Sequence, residues 1–273
     1  MAKIDKSILS KDEAKAAIEL RRKLKKSIPQ VNDCPNTIFN IVCIKEGVKY
    51  DHSYVNKLYY GVAKNLTLPF NFFCLTENAY KIDSNVKIIP LPEIPNIKGW
   101  WYKPYIFSND IPIKGVICYV DLDVVITNSL DHLLTHRVDS FLICRDFNRV
   151  LRPNYNKFNS SVMKFPKGKY NFLWDKFIQS KEMYMKKFYG DQDYIFDLAK
   201  NIAEFFPDDW IRSWKWEIRK SRKYAPGVRG QRKLAYIEDV IPPDTCSIAV
   251  FHGDPNPHLC DDPYIKKTWI YKE

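Results

Sequence analysis

Two carboxylates one residue apart, Asp121 and Asp123, interrupt an apolar run at residues 116–125 (VICYVDLDVV). Successive side chains of a strand point to opposite faces, so both carboxylates emerge on one side and Leu122 on the other. Like charges at that spacing are costly unless a cation sits between them, and an all-oxygen ligand set suits Mg²⁺ or Mn²⁺. The run reads as a hard-metal seat at the end of a buried strand of an α/β sheet, where ligands commonly bind. A strand ending in a solvated turn, with Asp123 merely polar, is the competing reading.

A second group stands near the C-terminus, residues 249–258 (AVFHGDPNPH). A strand ends in His252, whose neutral imidazole suits a Mn²⁺-like ion beside two carboxylates. A satisfied structural histidine is the alternative. Gly253 allows backbone N–H groups to approach an anion closely, and the prolines stiffen the loop. A third group, residues 210–224 (WIRSWKWEIRKSRKY), interleaves aromatics with Arg and Lys. Trp214, Trp216, Arg219, Lys220, Arg222 and Lys223 suit a phosphate backbone with exposed bases, or equally an acidic lipid surface or phosphorylated glycan. Core tryptophans on a solvated basic helix are the third possibility.

The elements around these groups alternate. Apolar strand-like runs fall at 38–44, 70–75, 86–90, 115–120, 141–144, 158–164 and 248–251, and a helix at 51–65 directs Val55, Leu58, Tyr59 and Val62 inward. Strands alternating with helices imply a mainly parallel sheet covered on both faces. Residues 10–13 form a capping box ahead of a basic helix within residues 1–30, and residues 31–273 then make one domain.

The net charge of +11 is concentrated, with +5 in residues 1–28 and +8 in residues 211–233 against a near-neutral remainder. That distribution suggests a polyanionic partner. Seven cysteines lie far apart with no CxxC pair, so a zinc site is not expected. With no secretory h-region and no long apolar span, a reduced, cytoplasmic protein is expected.

Four motifs in order resemble the GT-A glycosyltransferases, nearest the glycogenin-like family 8 and its relatives. They are Asp121-Leu122-Asp123, residues 158–163 (FNSSVM), residues 190–193 (GDQD) and the loop from His252 to Pro257. The resemblance spans residues 38–260 and implies a GT-A (Rossmann-like) α/β fold with a mainly parallel sheet. It also implies a nucleoside-diphosphate sugar as donor. Asp121, Asp123 and His252 then hold Mn²⁺ (or Mg²⁺) on the donor diphosphate. Asn159, Ser160 and Ser161 lie near the sugar, Asp191 and Gln192 beside the reacting carbon, and Lys103 contacts the donor. Retention of anomeric configuration is implied as well.

Two departures stand out. The family's late loop usually carries a lysine where this chain has Asn256, so phosphate charge must be met elsewhere, by Lys103 or by the 211–233 segment. Ser161 replaces the usual glycine. Asp191 and Asp193 compete for the role of the carboxylate that stabilises a cationic sugar or takes the acceptor proton, and one of them, Asp193, can instead simply cap the helix beginning there. The reading is a metal-dependent glycosyltransferase with a hydroxymethylated base in DNA as favoured acceptor. A lipopolysaccharide or capsule precursor is the second acceptor, and a non-enzymatic nucleic-acid-binding module the alternative class.

Overall fold

Strands β1 (Phe39–Lys45) and β4 (Val116–Val120) divide their side chains between two apolar layers. Phe39, Ile41, Cys43, Val116, Cys118 and Val120 pack on one face, and Val42, Ile117 and Tyr119 on the other. A strand buried on both faces belongs in the middle of a covered sheet. The computed structural model describes residues 37–219 and 240–272, so the basic helix expected within residues 1–30 lies outside the described residues.

The main sheet runs β3-β2-β1-β4-β7-β6-β8. It adds β2 (Phe70–Thr76), β3 (Lys87–Pro90), β6 (Leu142–Arg145), β7 (Phe158–Pro166) and β8 (Glu204–Phe205). Neighbours pair in parallel except β7, which is antiparallel to both β4 and β6. Asp51 caps the helix His52–Asn65 by accepting from Ser53 N at 2.9 Å, and Val55, Leu58 and Val62 are buried as their spacing predicts. Gly115 admits β4 beside β1: its φ is +92°, and a Cβ there would fall 2.4 Å from the Ile38 carbonyl oxygen.

The 248–251 run does not join the main sheet. β10 (Ile248–Val250) pairs antiparallel with β5 (Val124–Ile126) and parallel with β9 (Ile211–Ser213) in a separate three-stranded sheet. β5 continues directly from the Asp-Leu-Asp turn, so this second sheet brings the late loop to the carboxylates.

Arg149, in the turn after β6, ties the two sheets together. Its guanidinium donates to the Ile211 carbonyl at 3.0 Å and to both Glu217 oxygens at 3.1 Å, with the side chain almost fully buried. Removing one member of a buried pair leaves the other charge without compensation. Arg149→Met is expected to lower unfolding free energy by about 3–5 kcal/mol, read as a fall in the denaturant midpoint.

Candidate active site

The end of β4, the 3₁₀ segment Gly99–Phe107, β7 and the helix Asp191–Ala199 meet around one cavity of about 450 Å³. Trp101 lies face to face with Phe177, with ring centroids 5.5 Å apart and planes 6° apart. Burial of Trp101, Ile106 and Phe107 anchors the 3₁₀ segment and leaves Lys103 at the end of β4. Lys103 Nζ lies 3.1 Å from Asp121 Oδ1, 3.3 Å from Asp191 Oδ2 and 3.0 Å from Ser160 Oγ. Burial opposes the ammonium, but the two carboxylates overcome it and hold its pKa up at about 12.

Asp191 Oδ2 also accepts from Ser160 Oγ at 2.7 Å. Burial raises its pKa, and the Lys103 ammonium opposes that rise. Gly190, not a carboxylate, is the N-cap of this helix. Asp191 and Asp193 occupy its first turn, where the helix dipole favours negative charge, and both line the cavity. Gln192 lines it too, but both ends of its amide are engaged: Oε1 accepts from Ser160 N at 3.4 Å and Nε2 donates to Asp146 Oδ2 at 3.2 Å. Ser161 lines the cavity, and its carbonyl accepts from Asp121 N at 2.8 Å. Asn159 does not line it; its Oδ1 accepts from Ser161 N at 3.1 Å, bracing the strand.

Asp121 and Asp123 both line the cavity, and Leu122 between them, though buried, borders it too. Tyr119 Oη donates to Asp121 Oδ1 at 2.6 Å, and Tyr50 Oη lies 3.2 Å from Asp123 Oδ2. Burial and then the Asp121 charge push the Asp123 pKa up to about 6. A divalent cation between the carboxylates would relieve that cost, so the pair fits one. His252 is less simply placed. Phe251 N donates to the Asp123 carbonyl at 2.9 Å, which brings the loop to the pair. The imidazole itself stacks on Phe147 (centroids 5.0 Å, 16°), and its Nε2 lies 2.7 Å from Ser213 Oγ. Burial, then Lys215 and Arg149, lower its pKa to about 3, which keeps it neutral as a ligand must be. Among the described residues no group of three His, Cys, Asp or Glu side chains converges on one point, and His252 Nε2 is engaged with Ser213 Oγ.

The acceptor assignments for two residues of the basic segment need correction. Trp214 is fully buried, stacks on Phe251 and donates from Nε1 to Asp262 Oδ2 at 2.9 Å. Arg219 is buried in an ion pair with Asp262. Neither can reach an acceptor, because each satisfies a core carboxylate. Trp216 packs edge-on against His252, centroids 4.7 Å apart. Lys220, Arg222 and Lys223 lie outside the described residues. Residues 214–218 (Trp214–Ile218) form a π-helical turn that carries Lys215 into the core, where it donates to the carbonyls of His252 and Asp254. Burial lowers the Lys215 pKa to about 8 against the pull of Asp254 and Asp123.

Sequence reasoning passed over Tyr50, Asp146, Lys215 and Tyr119. Tyr119 was findable, since a residue two before Asp121 shares its face of the strand. Lys215 was hidden among other cations of its run.

No protein-family model and no curated protein matches the sequence. Solved structures do match in shape. The galactosyltransferase LgtC in complex with donor and acceptor sugar analogs superposes with a TM-score of 0.56 over 84% of this chain and 93% of that one, at 13% identity. An active-site mutant of LgtC gives 0.58 with the same coverage and identity. The glycosyltransferase GlyE of Streptococcus pneumoniae gives 0.59 at 13% identity, over 84% of this chain and 60% of that chain. The fold is GT-A. In this GT-A chain, as the motifs imply, the acidic pair closes the central strand β4. No described helix is long and apolar enough to cross a membrane.

Proposed function

We propose that the chain is a divalent-cation-dependent glycosyltransferase that moves a sugar from a nucleoside-diphosphate sugar to an acceptor hydroxyl. One observation carries this reading: Asp121 and Asp123 face Lys103, Ser160 and Asp191 across a single cavity of a GT-A fold. Breaking the bond from the anomeric carbon to a diphosphate leaves an anionic leaving group and a cationic sugar. Asp121 and Asp123, with His252 as the third candidate ligand, would hold a divalent ion, which would supply Lewis-acid stabilisation of that leaving group. Lys103 adds a fixed positive charge at Asp121 and holds Asp191 in place. Asp191 keeps a carboxylate beside the sugar, where it can stabilise positive charge or accept the acceptor's proton. Tyr119 and Tyr50 orient the two metal-side carboxylates.

Two acceptor classes follow from the basic segment: hydroxymethylated DNA, and a glycan or glycolipid precursor. The cavity lining carries Glu46, Asp121, Asp123, Asp191 and Asp193 against Lys49 and Lys103, a negative wall that a divalent cation on Asp121 and Asp123 would offset for the donor diphosphate. DNA recognition rests on the basic residues beyond Arg219. The test is a panel of nucleotide sugars with MnCl₂, scored for nucleoside diphosphate release and for mass gain on hydroxymethylated DNA and on oligosaccharides. Release or transfer that needs the cation supports the reading. If no donor is consumed under any condition, the chain is not this enzyme and a binding module takes its place.

Cation affinity should depend on pH in a definite direction. The Asp123 pKa is raised to about 6, so its carboxylate is free for a cation above that pH and protonated below it. Mn²⁺ affinity measured by calorimetry is expected to fall by up to about tenfold per unit as pH drops below about 6. A flat profile between about pH 5 and 8 would remove Asp123 from the ligand set.

A further inference from the structure

The loop after β10 lacks a cation of its own. Asn256 is neutral, and its Oδ1 lies 3.3 Å from Tyr50 Oη. An ammonium is nevertheless present in the loop, supplied by a different element. Lys215 enters from the π-helical turn and donates to the His252 carbonyl and, at 2.7 Å, to the Asp254 carbonyl, with the residue 4% exposed.

Two features set this lysine apart from a simple brace. Burying an ammonium costs several kcal/mol unless an opposite charge meets it. Among the described residues Lys215 forms no ion pair, unlike Lys103, Arg149 and Arg219, which all contact carboxylates. Carbonyls occupy two of its three donors, so one remains. Gly253 lies between the two carbonyl-bearing residues with φ +66°. Its chain neighbours aside, a Cβ on Gly253 would have one heavy atom within 4 Å: Lys215 Nζ, at 3.6 Å. Gly253 is exposed and carries no Cβ, so no side chain of its own closes the approach to Nζ from that side. Because Phe251 N donates to the Asp123 carbonyl, Gly253 lies two residues from a direct contact with the acidic pair.

We propose that Lys215 and Gly253 form an anion seat for the diphosphate of the nucleotide-sugar donor, with the cation delivered from the π-helical turn instead of from the loop. This rests on the glycosyltransferase reading and deepens it. A diphosphate oxygen over Gly253 would complete the neutralisation of the buried ammonium and stay within reach of a cation on Asp121 and Asp123. The seat discriminates by phosphate number, which a brace would not.

The experiment is calorimetric titration of wild type and Lys215→Met with UDP, GDP and ADP, and with UMP, GMP and AMP, in MnCl₂. For whichever base binds, the variant is expected to lose about ten- to a hundredfold in diphosphate affinity, the range for a lost charged hydrogen bond, with monophosphate affinity little changed. Equal losses for both, or none, would make Lys215 a brace and overturn the proposal. Failure of the wild type to bind any nucleotide would overturn the glycosyltransferase reading along with it. A crystal structure of wild type with the bound diphosphate decides the matter even if the variant does not fold. Nζ is expected within about 3.2 Å of a phosphate oxygen, and a diphosphate seated out of hydrogen-bond reach of Nζ overturns the seat.

Discussion

Asp123→Ala is expected to abolish cation-dependent turnover while leaving the protein folded. The side chain contributes little to the fold, since Tyr50 Oη is its hydrogen-bond partner among the described residues. Its raised pKa marks a carboxylate held at a cost by burial and by Asp121. Truncation therefore relieves repulsion, and the thermal midpoint should hold or rise slightly. The loss falls on the reaction, where leaving-group stabilisation worth several kcal/mol disappears and turnover drops by at least about a hundredfold. Initial rates at saturating Mn²⁺, with circular-dichroism melts as control, measure both quantities. Near wild-type rates in the variant would remove the acidic pair from catalysis.

Asp191→Asn should act differently. The amide oxygen can still accept from Ser160 and Lys103, so the local geometry survives. What is lost is the charge, and with it stabilisation of a cationic sugar or removal of the acceptor proton. Turnover is expected to fall by about 10²–10⁴ with donor affinity changed far less. Asp193→Asn is the comparison, because that carboxylate lines the same cavity. Should Asp193→Asn be inactive and Asp191→Asn active, the reacting carboxylate is Asp193, and Asp191 serves only to hold Lys103.

The acidic pair was legible because its signal is local: an apolar strand, a period of two and a turn fit within ten residues. The helix at 52–65 was legible for the same reason, with Asp51 as its cap. Strand direction was not. β7 is buried on both faces, so its residues carry no alternation to show that it runs against β4 and β6. The placement of β10 was hidden too, since pairing with β5 and β9 depends on contacts far apart in the chain. The basic aromatic run misled for a chemical reason. A tryptophan awaiting a base and a tryptophan in the core have the same neighbours in sequence, and Asp262, which settles the case for Trp214 and Arg219, lies in a distant segment.

β9 and β10 lie side by side and parallel, so no tight hairpin can join them; such a pair needs a crossover of a dozen or more residues. The chain uses residues 214–247 for that link, and its two ends are fastened independently. Trp214 and Arg219 hold Asp262 at one end, and the Ser247 carbonyl accepts from Thr127 N at 2.8 Å at the other. None of these fastening residues lines the cavity that holds the carboxylates and Lys103. The two functions proposed for the chain, holding a donor and selecting an acceptor, would then be separable by substitution, with changes at residues 220–239 of the link altering the second and not the first.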